Sequence, residues 1–138
     1  MICRCELKVR GYENDAYGHV NNAVYLNYLE YARGEYLEEI GFDYPGAMAS
    51  GFGLWVVRIE IDYKVPARRG DILVIETWAV EKKTTNGSLK QRIKRGETVC
   101  AEAKVRWAFV DVASGRPTRI PPRFDVPALA PEPDELER

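Results

Sequence analysis

Asp15-Ala-Tyr-Gly-His-Val-Asn-Asn-Ala-Val-Tyr-Leu-Asn-Tyr-Leu-Glu-Tyr-Ala-Arg33 is the stretch from which the rest of the chain is read. It sets an acidic residue, a glycine turn and the only histidine of the chain directly ahead of a helix start. Asn21 or Asn22 supplies the N-cap, the helix runs to Ile40, and Gly41 stops it. Tyr25, Leu29, Ala32, Tyr36, Leu37 and Ile40 recur at the three-to-four spacing of one buried face. Gly34 interrupts that pattern at a cost of roughly 1 kcal/mol relative to alanine. Close contact with a sheet or a partner would explain it, as would a tolerated weakness.

Outward from the helix the period changes to two. Residues 2–10 alternate apolar and charged side chains and read as a half-buried strand. Residues 54–65 place Val57, Ile59, Ile61, Tyr63 and Val65 on one face and Arg58, Glu60, Asp62 and Lys64 on the other. Strands follow at 72–81, at 88–95 after an Asn86-Gly87 hairpin signal, and at 98–110 with Val99 to Phe109 alternating inward. One strand, one long helix and four strands joined by short turns make an α+β domain, a five-stranded antiparallel sheet packed on one helix. One helix cannot cover both faces, and the sheet leaves two edges unpaired, so dimerisation is expected.

The 138 residues suffice for a single core, and 46% apolar with 30% charged residues describes a soluble globular chain. A net charge of −1 gives no global reason to bind nucleic acid or an anionic membrane. No apolar run reaches the ~20 residues of a membrane span and no leader opens the chain, so a cytoplasmic location is expected. Cys3, Cys5 and Cys100 lack the spacing of a metal site and are odd in number, which argues for simple thiols. The domain is expected to occupy residues 1–124. Residues 125–138, proline-rich and acidic, read as a frayed tail or a short surface segment.

The helix start carries the candidate chemistry. Its unpaired N–H groups and positive dipole end can hold a developing oxyanion, and Asp15 is placed to act there as nucleophile or general base. The bland alternative is an aspartate that only bonds nearby backbone N–H groups. His19 is a candidate base by residue type, but a supporting role in the loop or against substrate fits it better. Tyr25, Tyr28 and Tyr36 read as core and interface aromatics. Glu30 and Arg33, three apart, can pair on the helix surface. Arg68, Arg69, Lys82, Lys83, Lys90, Arg92, Lys94 and Arg95 concentrate positive charge, with Lys90, Arg92 and Lys94 forming a one-sided stripe.

Val9-Arg10, then Asp15, Gly18, Asn22, Tyr25, Tyr28, Glu30, Ala32, Arg33 and Gly41, followed by four strands in order, resembles the 4-hydroxybenzoyl-CoA thioesterase-like branch of the hotdog-fold family. The resemblance covers Leu7 to about Pro122. It implies a hotdog fold, a curved sheet wrapped around a central helix, and hydrolysis of acyl-CoA or acyl-ACP. It implies Asp15 as the catalytic carboxylate and the backbone N–H at Asn22 as the group that polarises the thioester carbonyl. His19 falls at a position often apolar in the family. Lys82 and Lys83 fall near the basic pair that holds the CoA phosphates in some members, and Tyr25, beside the helix start, is also expected to touch substrate. Assembly as a homodimer or homotetramer, with no metal or redox cofactor and CoA only as part of the substrate, is likewise implied. Two other classes compete. A dehydratase or hydratase on the same fold needs a histidine with an acidic partner, and a non-catalytic acyl-CoA binding module predicts binding without turnover.

Overall fold

The computed structural model describes residues 1–132. Strand β1 (Cys3–Lys8) leads through a loop to helix α1 (Asn22–Glu39) and then to a short helix α2 (Tyr44–Ala49). Strands β2 (Phe52–Tyr63), β3 (Ile72–Lys82), β4 (Asn86–Arg95) and β5 (Thr98–Asp111) follow, and a two-residue β6 (Arg116–Pro117) adds to β5. The strands are antiparallel in the order β1-β3-β4-β5-β2, so β1 and β2 are the edges.

The Asn21 side chain accepts the Ala23 N–H at 2.9 Å and starts α1, making Asn21 the cap and Asn22 the first helical residue. Gly41 ends the helix at φ +79°, a conformation that costs glycine nothing. The buried stripe of α1 lies on the concave face of the sheet in two clusters. Tyr25, Tyr28, Leu29 and Ala32 meet Leu73, Ile75, Ile93, Ala101 and Ala103. Tyr36 and Ile40 meet Ala79, Leu89, Val105, Trp107 and Phe109.

Several details differ from the sequence reading. The Asn86-Gly87 pair belongs to β4, and the turn lies just before it at 83–85. Gly87 is required because a Cβ there would fall 2.5 Å from the Trp107 ring and 2.6 Å from the Glu81 carbonyl oxygen. A bulge between Val56 and Arg58 leaves Val57 without a partner on β5. Val56, not Val57, therefore joins Leu54, Ile59 and Ile61 on the side facing α1. Nothing comes within 4 Å of a Cβ placed on Gly34, so that glycine opens a space instead of admitting a close neighbour.

The segment after 124 is integrated into the core as far as Ala130. Leu129 is 1% exposed, Phe124 and Leu129 pack with Trp107 and Ile120, and the Tyr36 hydroxyl donates to the Ala128 carbonyl at 3.0 Å. Burial of apolar area outweighs the proline-rich composition there. Residues 133–138 of the expected tail lie outside the described residues. No helix among the described residues is long and apolar enough to cross a membrane.

Candidate active site

The loop between β1 and α1 is held from below by one buried carboxylate. Glu13 is 6% exposed. Its Oε1 accepts the Arg10 N–H at 2.7 Å and the Tyr28 hydroxyl at 2.9 Å, and its Oε2 accepts Arg10 Nη2 at 2.8 Å. Burial alone would raise its pKa, but the Arg10 and Tyr28 hydrogen bonds and the Arg10 charge outweigh burial and hold it below the ordinary carboxylate value. The Glu13 carbonyl also accepts the Asn21 N–H at 2.9 Å, which ties this cluster to the helix cap.

Above it, Asn14 pairs with Val20 as an isolated bridge, closing a tight loop that presents Asp15. Asp15 Oδ1 accepts the Tyr17 N–H at 2.8 Å and the His19 N–H at 3.1 Å. This is the backbone-bonding arrangement of the bland reading, yet it occupies one carboxylate oxygen only. Oδ2 has no hydrogen-bond partner among the described residues. The Asn22 N–H, first of α1, has none either, as a leading helical N–H should not.

Asp15, His19, Asn22 and Tyr25 line one concavity of about 310 Å³, together with Tyr63, Lys64 and Pro66. The sequence-expected residues of the helix start are therefore brought together. Tyr25 is buried, and its hydroxyl accepts the Ala67 N–H at 3.0 Å, so it pins the segment at 66–67 while its ring lines the concavity. Burial raises its pKa, partly offset by that N–H. The His19 ring has no carboxylate within 4.0 Å among the described residues and stands 6.5 Å from the Tyr17 ring.

Tyr63 was not singled out from the sequence. Its hydroxyl donates to the Asn22 carbonyl at 2.9 Å and its ring meets Tyr25 edge-on at 5.3 Å, closing one wall of the concavity. Its only signal was the end of an alternating strand.

Lys82 and Lys83 lie elsewhere. Lys82 pairs with Gly87 and Gly87 with Trp107, whereas Tyr63 pairs with Ala101. The six-step offset along β5 between those registers puts the lysines about 20 Å along the sheet from the Asp15 concavity. There they line a separate hollow with Thr84, Arg119 and Asp125, and Lys82 Nζ is paired with Asp125 at 3.2 Å. The stripe on β4 is also partly neutralised, because Arg92 meets Glu102 at 3.2 Å and Glu76 at 3.6 Å and lies over the Trp78 ring. Arg68 and Arg69 are nearer the site. Ala67 accepts the Val20 N–H at 2.8 Å, and the Arg69 side chain runs against Gly11, so this basic turn borders the Asp15 loop.

Arg33 does not form the expected surface pair with Glu30. Its Nη1 donates to Gln91 Oε1 at 3.0 Å, and Gln91 Nε2 donates to the Leu29 carbonyl at 3.0 Å and to Thr77 Oγ1 at 3.1 Å.

Residues 9–127 match the Thioesterase-like superfamily. The chain is 36% identical to the long-chain acyl-CoA thioesterase FadM of Escherichia coli, across 78% of this chain and 82% of that one. It is 35% identical to the chloroplastic acyl-acyl carrier protein thioesterase ATL2 of Arabidopsis thaliana, across 84% of this chain. The alignments span 62% of ATL2 and 37% of a second plant thioesterase, ATL3. A probable thioesterase from Bartonella henselae superposes with a TM-score of 0.80 at 28% identity, covering 88% of this chain and all of that one. A curled antiparallel sheet around one long helix, matched over nearly its whole length, places the chain in the thioesterase-like superfamily with the hotdog fold.

Proposed function

We propose that the protein hydrolyses acyl thioesters, acyl-CoA or acyl-ACP, to a free acid and a thiol. The observation that carries this is the Asp15 carboxylate, fastened through Oδ1 and open at Oδ2, facing the same concavity as the unpaired Asn22 N–H. A thioester carbonyl seated there would direct its oxygen at the Asn22 N–H, where the positive end of α1 favours the charge that builds up. Oδ2 then either attacks the carbonyl carbon, giving a mixed anhydride that water afterwards hydrolyses to the free acid and the Asp15 carboxylate, or takes a proton from a water that attacks the carbonyl carbon. The carbon–sulfur bond breaks with its electron pair leaving on sulfur, and the thiolate departs. CoA enters only as part of the substrate, and these steps call on no metal or redox group. Tyr25 and Tyr63 shape the wall beside the thioester, and His19 lines the mouth. Among the described residues no carboxylate lies within 4.0 Å of the His19 ring, which counts against the dehydratase reading. A screen for thiol release across short, long and aromatic acyl-CoAs, repeated with acyl-ACPs, tests the proposal, and saturable binding without turnover would favour the binding-module reading.

The edge of the sheet supports an assembly of more than one copy of the chain. Strand β2 is twelve residues long, has no neighbouring strand on its outer side among the described residues, and exposes Trp55, Val56, Val57 and Tyr63. A second copy of the chain covering this edge would also roof the seam between α1 and β2. Sedimentation at micromolar concentration is expected to give a homodimer or homotetramer, and an active monomer would remove the argument.

Lys64 lines the concavity, and Arg68 and Arg69 on the segment bordering the Asp15 loop are further cations of the same chain near enough to meet the nucleotide of CoA. Arg68→Ala with Arg69→Ala is expected to raise KM for acyl-CoA several-fold, to flatten its salt dependence, and to leave the matching acyl-pantetheine unaffected. A KM rise from Lys82→Ala with Lys83→Ala would instead place the nucleotide against a neighbouring copy.

A further inference from the structure

Helix α1 and strand β2 run past one another in opposite directions. At one end the Tyr63 hydroxyl reaches the Asn22 carbonyl, and at the other Leu54 and Val56 share an apolar groove with Leu37 and Tyr44. Positions 22, 26, 30, 33 and 37 of the helix fall within about 80° of each other, so they share one face. Leu26 on that face and Ile61 and Ile59 on β2 lie between the Asp15 concavity and the groove. The two hollows are thus the ends of one seam. The groove, about 210 Å³, is walled by Leu37, Leu54, Val56, Leu89, Val105 and Trp107. Two charged residues, Glu30 and Arg33, also border it.

Arg33 is unusual for its setting. A buried glutamine, 1% exposed, holds its guanidinium from behind and is itself fastened to the helix backbone and to Thr77. Gln91 Oε1 is the only hydrogen-bond acceptor it meets among the described residues, and no carboxylate lies within 4.0 Å. A surface arginine would not need so firm a mount. Fixing a donor-rich head at the rim of an apolar groove orients it toward an occupant of that groove.

We infer that the seam is an acyl channel and that Arg33, with Glu30, selects acyl groups bearing a hydroxyl toward their far end. This rests on the acyl-thioester reading above. The guanidinium is level with Leu29, seven residues beyond Asn22, or about 10 Å along the helix. An extended chain whose carbonyl sits at the Asn22 N–H would reach that level after roughly eight to ten carbons. A hydroxyl there can accept from Arg33 and donate to Glu30, which an alkyl end cannot do. An alkyl end instead strips water from the guanidinium and returns nothing. Gly34 contributes by leaving space beside the pair.

The test compares two substrates that differ by one oxygen, decanoyl-CoA and 10-hydroxydecanoyl-CoA. The wild-type protein is expected to favour the hydroxylated substrate about tenfold in kcat/KM, a modest ratio because the seam is partly open to water. Arg33→Met should erase the preference by weakening the hydroxylated substrate and improving decanoyl-CoA. Arg33→Lys should restore part of it. The wild-type comparison needs no variant and so does not depend on how well Arg33→Met folds. Equal or better hydrolysis of decanoyl-CoA by the wild type overturns the inference, as does a preference that survives Arg33→Met. Failure to release thiol from any acyl-CoA or acyl-ACP defeats the hydrolase reading and this inference with it. Hydrolysis without the hydroxyl preference defeats this inference alone.

Discussion

Asp15→Asn is expected to lower kcat by on the order of 10²-fold or more while leaving the melting temperature nearly unchanged. Asparagine keeps an oxygen that can accept the Tyr17 and His19 N–H groups, so the loop geometry survives. What it loses is the charge at the second oxygen, the one with no partner in the described structure. Asp15→Ala is a poorer probe because it also frees both backbone donors and lets the loop relax. Thiol release by the asparagine variant, read beside its circular dichroism spectrum and oligomer size, separates chemistry from folding. Activity within a few-fold of wild type would leave Asp15 as a fastener of the turn and move the search to His19, which lines the same hollow.

The fold was legible because each element carries a local signal that agrees with its neighbours. Alternation marked the five main strands, and the Asn21-Asn22 pair and Gly41 marked both ends of α1, with Asn21 serving as the cap. Helix α2 was missed although Asp43 caps it, accepting the Gly46 N–H at 3.0 Å, because six residues carry no periodicity to read. The Asn86-Gly87 pair misled for a different reason. A glycine that admits a tryptophan ring and a glycine that turns the chain look alike in sequence, and only the packing of Trp107 separates them. The candidate site divides in the same way. Asp15, His19, Asn22 and Tyr25 were legible because they share one short segment whose geometry the helix start dictates. Tyr63 and Gln91 arrive from distant strands, and the sequence does not say which strand passes the helix. Lys82 and Lys83 form a basic pair visible in sequence, and only the strand register shows which end of the sheet carries them.

Glu13 was overlooked because a charged loop residue resembles surface, and its burial is the basis of the second large effect. Glu13→Gln should destabilise the protein at neutral pH by about 2 kcal/mol, the usual range for losing a buried charge-assisted hydrogen bond. For a chain of this size that is roughly 5–10 °C in melting temperature. The amide keeps an acceptor for the Arg10 N–H and Tyr28 hydroxyl but sets its own NH₂ against Arg10 Nη2, donor against donor. The pH dependence follows from the lowered pKa. Because the folded carboxyl ionises more readily than the unfolded one, the unfolded chain binds the proton preferentially between the two pKa values. The carboxylate's contribution is therefore complete above the unfolded value of 4.5 and fades as pH drops through the folded one. Melting curves of wild type and Glu13→Gln should stand apart at pH 7 and converge in acid. A gap that persists at low pH would mean that Glu13 acts through shape alone. No gap at pH 7 would mean that the Arg10–Glu13–Tyr28 cluster does not hold the helix start in place, and the support it gives to the Asn22 N–H would have to come from Tyr63 and the Asn21 cap.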